Sequence, residues 1–577
     1  MKQLFLRASK SILFVWLLYL FFAIIFTYPG ILHFSTRVIG DGGDNIEYYS
    51  YTLLVKENLG HLRWPYGHTT AFWYPDGFDM TTGSEAKLFT FFVALLSFVF
   101  PPVFSYNTGV ITVLLLNAIC TYQLLKKLGY ASVASFIGGM IYGMSYYVLA
   151  KAGGHINLMM VFPVPLFASC LLEAYKDRRI TSWWLLRLAG VCIALLLSSV
   201  QYFFIVLSVM MLLLPIILLG IRRIQSFSFF WRNPLFVVYA TGIGVVGLII
   251  GIPYLRLAQT YPFSDKVFGL PRLVDAAHLI SPNDYLIPFI YPYLYPTPLR
   301  EGSIEYSLYL GIFEIVILIL WIVWAKKNRY WLLIFFFSIA LMLVSLGQPL
   351  RTGGLSLYGY LQLFFPFSII WESERFFIIY YLFFTFFITA VLHAMRKNKA
   401  ILVIALGFII LERFSGNFYN TDMSMLTGGS YAPMIAKMPT TAVLDVPFLR
   451  KDYLAVSPTF YNLLPMQYQK PIVGGYYHWL AENKTNSNRL EGIAEELFCD
   501  TTSTLSDEKA TTIIDALLER GIRVVVVHKQ ILYDENCLSG RNQWYVLFEL
   551  LTKKASVSRV FDDAEAEIFY LERVRKH

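Results

Sequence analysis

Residues 107–125, NTGVITVLLLNAICTYQLL, contain no charged side chain, and Lys126 and Lys127 follow them directly. A run of about 18 or more apolar residues is long enough to cross the hydrocarbon core of a bilayer. Similar runs recur along the first 414 residues, at 11–32, 132–150, 156–173, 183–199, 201–220, 235–255, 307–325, 330–347, 375–395 and 400–414. We therefore predict a polytopic α-helical membrane protein with about 11 transmembrane helices.

The composition agrees with that class. Of the 577 residues, 57% are hydrophobic and only 15% are charged, whereas ordinary globular domains carry about 25% charged residues. The formal net charge of +9 does not indicate a nucleic-acid partner, because the basic residues cluster in short connections between apolar runs. An ordinary soluble protein is excluded, and membrane lipid is the expected surrounding.

The basic clusters predict the topology, since cytoplasmic loops concentrate Lys and Arg. All six clusters fall on one side when the runs alternate across the membrane: Lys2/Arg7/Lys10, Lys126/Lys127, Lys176/Arg178/Arg179, Arg222/Arg223/Arg232, Lys326/Lys327/Arg329 and Arg396/Lys397/Lys399. We predict a multi-pass plasma-membrane protein with a cytoplasmic N-terminus. The loops 33–106, 256–306 and 348–374 are then extracytoplasmic, with interfacial helices at 88–104 and 355–370.

The last 163 residues differ in pattern from the rest. Segments 441–446 and 523–527 are rich in β-branched residues, and segments 489–498, 509–519 and 543–551 have helical spacing. We predict a membrane module over 1–414 and an extracytoplasmic, soluble α/β domain over 415–577. In an oxidising compartment Cys499 and Cys537 could form a disulfide, and in a reducing one they stay thiols.

The most concentrated polar group is GDGGDN at residues 40–45, the acidic segment, a few residues after the first predicted span. Asp41 and Asp44 could act as a general base or as ligands of a divalent metal such as Mg²⁺ or Mn²⁺, with Asn45 contacting substrate. An ordinary surface turn explains the Asp-Gly pair equally well. For Asp76 in YPDG, residues 74–77, a turn is the favoured interpretation.

Several later residues could hold a phosphate or a sugar. Lys151, His155 and Asn157 lie in an outer turn, and Arg375 follows Glu372 at the mouth of a later span. A guanidinium matches phosphate oxygens. The alternatives without a function are that His155 is simply solvated and that Arg375 forms an ion pair with a neighbouring glutamate.

The loop 256–306 adds Asp284 and Glu305 as candidate substrate contacts, in a segment whose many Tyr and Pro residues also suit a plain membrane-surface loop. The GxGxxG match at 242–247 lies within an apolar run without a preceding strand, so small residues for helix packing explain it better than a nucleotide site.

The order of these motifs resembles the GT-C superfamily of integral membrane glycosyltransferases, in particular its bacterial YfhO-like and dolichyl-phosphate-mannose-mannosyltransferase-like branch. The matching text is GDGGDN, YPDG, Tyr106-Asn107, GHIN, EYSLYLG at 305–311, ERF, LDVPF and KPIVGGYY, and it covers nearly the whole chain. Each motif is short, and their order carries the resemblance.

The resemblance implies a sugar transfer, usually inverting, from a polyprenyl-phosphate donor to a glycan, lipid or protein acceptor on the extracytoplasmic face. It implies that Asp41 or Asp44 is the general base and that Lys151, His155 and Arg375 contact the donor phosphate. The superfamily includes metal-dependent members, but GDGGDN is not a compact Asp-x-Asp.

Two other functions stay open. A non-catalytic transporter or assembly factor for lipid-linked glycans would carry charges inside its spans and broken helices, and Glu314 is the main acidic residue within a predicted span. A degenerate superfamily member would use its tail to bind glycan or a partner.

Overall fold

The computed structural model describes most of both predicted regions. The described residues are 12–72, 74–75, 77–83, 86–177, 181–220, 307–324, 329–346, 373–423, 431–446, 463–473, 505–532 and 537–573, with the single positions 234, 238, 241, 242, 358 and 361. The loop 256–306 and the helix 489–498 lie outside them, as do the predicted span 235–255 apart from positions 238, 241 and 242 and most of the predicted interfacial segment 355–370.

Helices occupy the predicted spans that fall within the described residues. They are α1 (Ile12–Phe26), α5 (Pro102–Lys127), α6 (Ser132–Gly143), α7 (Tyr146–Gly154), α8 (Ile156–Met159), α9 (Pro163–Asp177), α10 (Ser182–Ser198), α11 (Val200–Gly220), α12 (Ile312–Trp324), α13 (Arg329–Ser345), α14 (Phe377–Ala394) and α15 (Lys399–Arg413). A 3₁₀ turn, Ser373–Phe376, leads into α14. The predicted interfacial segment 88–104 overlaps helix α4 (Lys87–Leu96), and its last three residues belong to α5, which begins at Pro102.

Within the described residues, three helical segments are long and apolar enough to cross a membrane: Pro102–Lys127, Ile156–Asp177 and Ser373–Ala394. Helices α6 and α7 would make a fourth span if they are taken together, and they are bent by 40° at their junction. The chain is therefore a mostly helical membrane protein. The predicted total of about 11 spans stays a prediction.

Glycines on α6 allow neighbouring helices to approach closely. A Cβ at Gly139 would lie 2.1 Å from the hydroxyl of Tyr19 on α1, and one at Gly143 would lie 2.3 Å from the backbone nitrogen of Ala118 on α5. Real Cβ atoms do not tolerate such distances, so only glycine fits these two positions. Small residues of this kind are typical of helix packing in membranes, where close backbone contact replaces the hydrophobic effect.

A four-stranded sheet forms the core of the C-terminal region. Its order is β5 (Val443–Val446), β6 (Val524–His528), β8 (Ala566–Arg573) and β7 (Ala555–Asp562), with β5 and β6 parallel and the other pairs antiparallel. The segment 441–446, predicted as a strand, contains β5, and the segment 523–527 covers all of β6 except its last residue, His528. Those predicted as helices, 509–519 and 543–551, lie in α18 (Asp507–Glu519) and α20 (Leu538–Lys554).

The remaining described elements are short, except for α2, which begins in the acidic segment. They are a 3₁₀ turn (Gly30–His33), β1 (Arg37–Ile39), α2 (Asp44–Gly60), β2 (His68–Thr69), β3 (Phe78–Asp79), α3 (Met80–Gly83), β4 (Asn420–Asp422), α16 (Ala432–Lys437), α17 (Leu464–Tyr468) and α19 (Lys529–Leu532). Cys537 is disulfide-bonded, whereas Cys120, Cys170 and Cys192 are free and buried. Cys499 lies outside the described residues.

The chain divides into two compact units. The helical unit comprises residues 1–40, 85–93 and 103–420, and the mixed unit comprises 41–84, 94–102 and 421–577. Most of the first loop thus belongs with the C-terminal region, because Tyr51, Leu54 and Phe72 share one hydrophobic core with Val443 and Ile472. Backbone hydrogen bonds between residues 71–74 and Ile472, of 2.9 and 3.1 Å, join the same parts. The predicted division into 1–414 and 415–577 places the first loop with the membrane module and so leaves out its packing against the C-terminal region. That division stays a prediction.

Candidate functional site

The acidic segment forms a tight turn that begins helix α2 in the mixed unit. The backbone N–H of Gly43 donates to Oδ1 of Asp41 over 2.9 Å, and that of Gly42 donates to Oδ1 of Asn45 over 3.0 Å. Gly42 has a φ of +88°, which a residue with a side chain rarely adopts. Asp41 is exposed, and Asp44 is the first residue of α2, where the helix dipole favours a negative charge. The segment is thus both a turn and a helix start that presents two carboxylates.

Glu47 is an acidic residue of the same helix that the sequence interpretation missed. It lies one turn after Asp44, it is buried, and the hydroxyl of Tyr51 donates to its Oε1 over 2.5 Å. Residues three and four positions apart share a helix face, so Asp44, Glu47 and Tyr51 lie along one side of α2. The spacing Asp44-x-x-Glu47 would have been recognisable only if the loop had been predicted to contain a helix.

Asn107 holds the chain that leads into the acidic segment, within the helical unit. Its Oδ1 accepts from the N–H of Ile39 over 2.8 Å, and its Nδ2 donates to the carbonyls of Phe34 and Arg37 over 3.0 and 2.7 Å. One buried amide on α5 therefore satisfies three backbone groups of the preceding turn and β1. This gives the Tyr106-Asn107 motif a physical role.

Lys151, His155 and Asn157 lie where α7 ends and α8 begins. Lys151 is completely buried, and its Nζ lies 5.4 Å from the centre of the Tyr147 ring. The N–H of His155 donates to the carbonyl of Lys151 over 2.8 Å, so the histidine ends α7. Asn157 is buried on α8. Lys151 and Asn157 are therefore enclosed by the fold, whereas His155 between them is partly exposed.

Arg375 belongs to the same neighbourhood of the helical unit. It is 8% exposed, and its Nε lies 3.9 Å from Oε1 of Glu374. Two residues further on, the ring of Phe377 stacks on Tyr147 with centroids 4.8 Å apart, and the Tyr147 and Tyr202 hydroxyls are 3.1 Å apart. Lys151 and Arg375 therefore flank one aromatic cluster, formed by Tyr147, Tyr202 and Phe377.

Four predicted substrate contacts, Asp76, Asp284, Glu305 and Glu372, lie outside the described residues. Within the described part of the chain, no group of three or more His, Cys, Asp or Glu side chains is arranged to hold a metal ion.

A cavity of about 420 Å³ lies beside α2 in the mixed unit. It is lined by Leu53, Lys56, Glu57, Gly60, His61, Phe98 and Met466. Lys56 lies 5.8 Å from the centre of the Phe98 ring. Its lining thus combines apolar side chains with Lys56, Glu57 and His61.

A second polar cluster lies in the helical unit, at the start of α12. Nη2 of Arg413 donates to Oε1 of Glu314 over 2.5 Å, and both side chains are buried. Glu412 accepts from the N–H groups of Ile312 and Phe313 over 2.8 and 3.2 Å. The sequence interpretation noted Glu314 alone, because Glu412 and Arg413 end a span and charges there ordinarily reach the interface.

A buried Asp–His pair joins the two parallel strands of the mixed unit. Nε2 of His528 lies 2.9 Å from Oδ1 of Asp445, which also accepts from the hydroxyl of Tyr468 over 3.1 Å. Burial, together with the Asp445 charge, raises the pKa of Tyr431 well above its usual value. The arrangement satisfies one oxygen of a carboxylate inside the sheet core, which gives the LDVPF motif a structural role.

Solved structures with the same fold include the archaeal oligosaccharyltransferase AglB from Archaeoglobus fulgidus, in complex with an inhibitory peptide and a dolichol-phosphate. The two chains are 10% identical, with a TM-score of 0.52 over 98% of this chain and 74% of that one. The arabinofuranosyltransferase AftD from Mycobacteria matches 98% of this chain and 40% of its own, at 12% identity and a TM-score of 0.52. No curated protein matches by sequence.

The fold is therefore that of the GT-C glycosyltransferases, as the motif order indicated. At such low identity the likeness concerns the fold alone. A family profile described as "Domain of unknown function (DUF6311)" matches residues 15–411, which is more than half of the chain. The chain belongs to that family.

Proposed function

We propose that this chain is a membrane glycosyltransferase that moves a sugar from a polyprenyl-phosphate-linked donor to an acceptor at the extracytoplasmic face, with inversion. The observation that carries the proposal is the burial of Lys151 and Arg375 around one aromatic cluster in a GT-C fold. Cations are costly to bury and gain from an anionic partner. A phosphate ester on a lipid chain combines that charge with an apolar tail.

The chemistry assigned to the residues is a single displacement. Asp41 or Asp44 takes the proton of the acceptor hydroxyl, whose oxygen then bonds to the anomeric carbon while the bond from that carbon to the phosphate oxygen breaks. The phosphate leaves with the electron pair. Lys151, His155 and Arg375 stabilise the charge that builds on it.

Substrate contacts are proposed for six further residues: Asn45, Asp76, Asn157, Asp284, Glu305 and Glu372. A divalent ion, if required, would be held by Asp41 and Asp44, because Mg²⁺ commonly uses one or two carboxylates together with water and substrate phosphate. It would neutralise charge on the donor phosphate. The proposal names no particular donor sugar, and its acceptor is a glycan, a lipid or a protein.

The proposed topology has about 11 spans, a cytoplasmic N-terminus and a C-terminal α/β domain outside the plasma membrane, where it would shape the acceptor site. The disulfide at Cys537 supports that location, because disulfides persist in oxidising compartments. So does the clustering of Lys and Arg on the opposite side.

Binding of undecaprenyl phosphate to the purified full-length protein tests the proposal. We expect Lys151→Ala and Arg375→Ala each to weaken binding at least tenfold, while Lys126→Ala, a basic residue in the last turn of α5, binds as the wild type does. Equal affinity of all four proteins would contradict the assigned phosphate contacts.

A transporter of lipid-linked glycans is the second candidate. Two observations favour it: the bend between α6 and α7, and the buried charges of Glu314 and Arg413. Reconstituted vesicles distinguish the two functions. A transporter would move a fluorescent polyprenyl-phosphate analogue between leaflets without any sugar transfer, whereas a glycosyltransferase would require an acceptor and release the lipid phosphate.

A further inference from the structure

Two consecutive residues of α15 contact two helix ends of the helical unit: Arg413 the end of α6, and Glu412 the start of α12. Helix α6 ends at Gly143, so its last carbonyls lack partners within the helix. Helix α12 begins at Ile312, so its first N–H groups lack them as well. Away from water, each such group must find another partner.

Arg413 supplies the donors for the end of α6. Its Nε donates to the carbonyl of Met144 over 2.9 Å and its Nη2 to that of Ile141 over 3.4 Å. The C-terminus of a helix carries a partial negative charge, so a guanidinium matches it in sign as well as in hydrogen bonding. The 40° bend between α6 and α7 thus has a cation hydrogen-bonded to the backbone at the junction.

Glu412 supplies the acceptor for the start of α12. Its Oε1 accepts from the first two N–H groups of the helix, those of Ile312 and Phe313, and from the hydroxyl of Tyr309 over 3.4 Å. The N-terminus of a helix carries a partial positive charge. Adjacent side chains of opposite charge therefore cap two helix ends of opposite polarity.

Glu314 and Gly311 complete the arrangement. Glu314 pairs with Arg413 and so ties the two capped ends together. A Cβ at Gly311, whose φ is +92°, would lie 2.0 Å from Oε2 of Glu314 and 2.9 Å from Oε2 of Glu412. Only glycine leaves room for both carboxylates at this position.

We infer that Glu412 and Arg413 are positioning residues for the donor-phosphate site, an inference that rests on the proposed function. Arg413 holds the end of α6, and the chain continues through Met144 and Ser145 into α7, which carries Lys151 and ends at His155. Loss of the guanidinium would let α7 shift at its first turn. The buried charges of Glu314, Glu412 and Arg413 then stabilise the two helix ends, and this explains their presence without a translocation function.

Hydrogen exchange of the full-length protein in detergent tests the caps without reference to function. Arg413→Gln should raise exchange at least tenfold in peptides covering residues 141–150, and Glu412→Ala should do so around residues 309–316. Glu412→Gln keeps an acceptor for Ile312 and Phe313 and should exchange as the wild type does. Unchanged exchange in both segments would overturn the inference.

Undecaprenyl phosphate binding then tests the link to the site. Arg413→Gln should weaken binding at least tenfold, whereas Arg187→Gln, which removes a second ion pair of the helical unit, with Glu173 at 2.9 Å, should not. Loss of binding in Lys151→Ala but not in Arg413→Gln would overturn the positioning role. If Lys151→Ala also binds normally while the exchange result holds, the proposed function fails and the capping role stands.

Discussion

Replacing Asn107 with leucine should destabilise the protein by an amount that its contacts allow one to work out. The change keeps the side-chain volume similar and removes three hydrogen bonds, to Ile39, Phe34 and Arg37. A buried backbone group left without a partner costs about 1–3 kcal/mol. Ile39 is fully buried, whereas Phe34 and Arg37 are partly exposed and their carbonyls can reach water.

We therefore expect a loss of about 2–4 kcal/mol in the free energy of unfolding, with most of it from the Ile39 amide. The three free, buried thiols, Cys120, Cys170 and Cys192, provide the assay. A thiol-reactive dye in mixed micelles with increasing dodecyl sulfate reports when the helical unit opens.

Asn58→Leu is the matched control, because the partly buried Asn58 makes a single such bond, from its Nδ2 to the carbonyl of Pro65 over 3.2 Å. Because Asn58 lies in the mixed unit, its replacement should leave the thiol-labelling transition of the helical unit unchanged. If Asn107→Leu unfolds at the same denaturant fraction as Asn58→Leu or the wild type, the anchoring role of Asn107 is refuted.

Three further predictions concern packing, redox state and pH. Gly139→Leu should fail to give monodisperse protein on size-exclusion chromatography, since its Cβ would lie 2.1 Å from the Tyr19 hydroxyl. Gly190→Leu, with open space around it, should elute as the wild type does, and equal elution profiles of the two variants would contradict the close packing. Maleimide added to intact cells should label the C-terminal region only after reduction, and Cys537→Ser should expose one thiol without reductant; labelling of the unreduced wild type would refute the disulfide. The hydrogen bond from Lys529 lowers the pKa of Asp562 from 3.8, so this pair stabilises the mixed unit above pH 3.8 and the stabilisation disappears as the pH falls through the lowered pKa. Asp562→Asn should remove this component of the acid unfolding transition, and an unchanged transition would disprove the role of the pair.

Much of the helical fold could be predicted from apolar runs, because a span must be about 20 apolar residues long whatever its neighbours are. The break at Met144 could not. Residues 132–150 are apolar on both sides of it, and the bend depends on Arg413, which lies 269 positions further along the chain. The local sequence pattern around residue 144 cannot indicate a partner so distant in the chain.

The candidate site could likewise be predicted only in part. The acidic segment was recognisable because glycines and carboxylates cluster in sequence, but Glu47 was not, since its helix lies within a predicted loop. Lys151 was recognisable as a cation in an outer turn, but its complete burial was not, because the burial depends on helices from other parts of the chain. The association of residues 41–84 with the C-terminal sheet depends on contacts distant in sequence, which apolar periodicity cannot indicate.

Lipid mass spectrometry of a strain lacking this chain tests the central claim most directly. We expect a polyprenyl-phosphate sugar to accumulate and one glycosylated product to disappear. The wild-type gene should restore both pools, and either Asp41→Asn or Asp44→Asn, present in the membrane at normal level, should fail to restore them. Unchanged lipid pools, or full restoration by both single variants, would contradict the account.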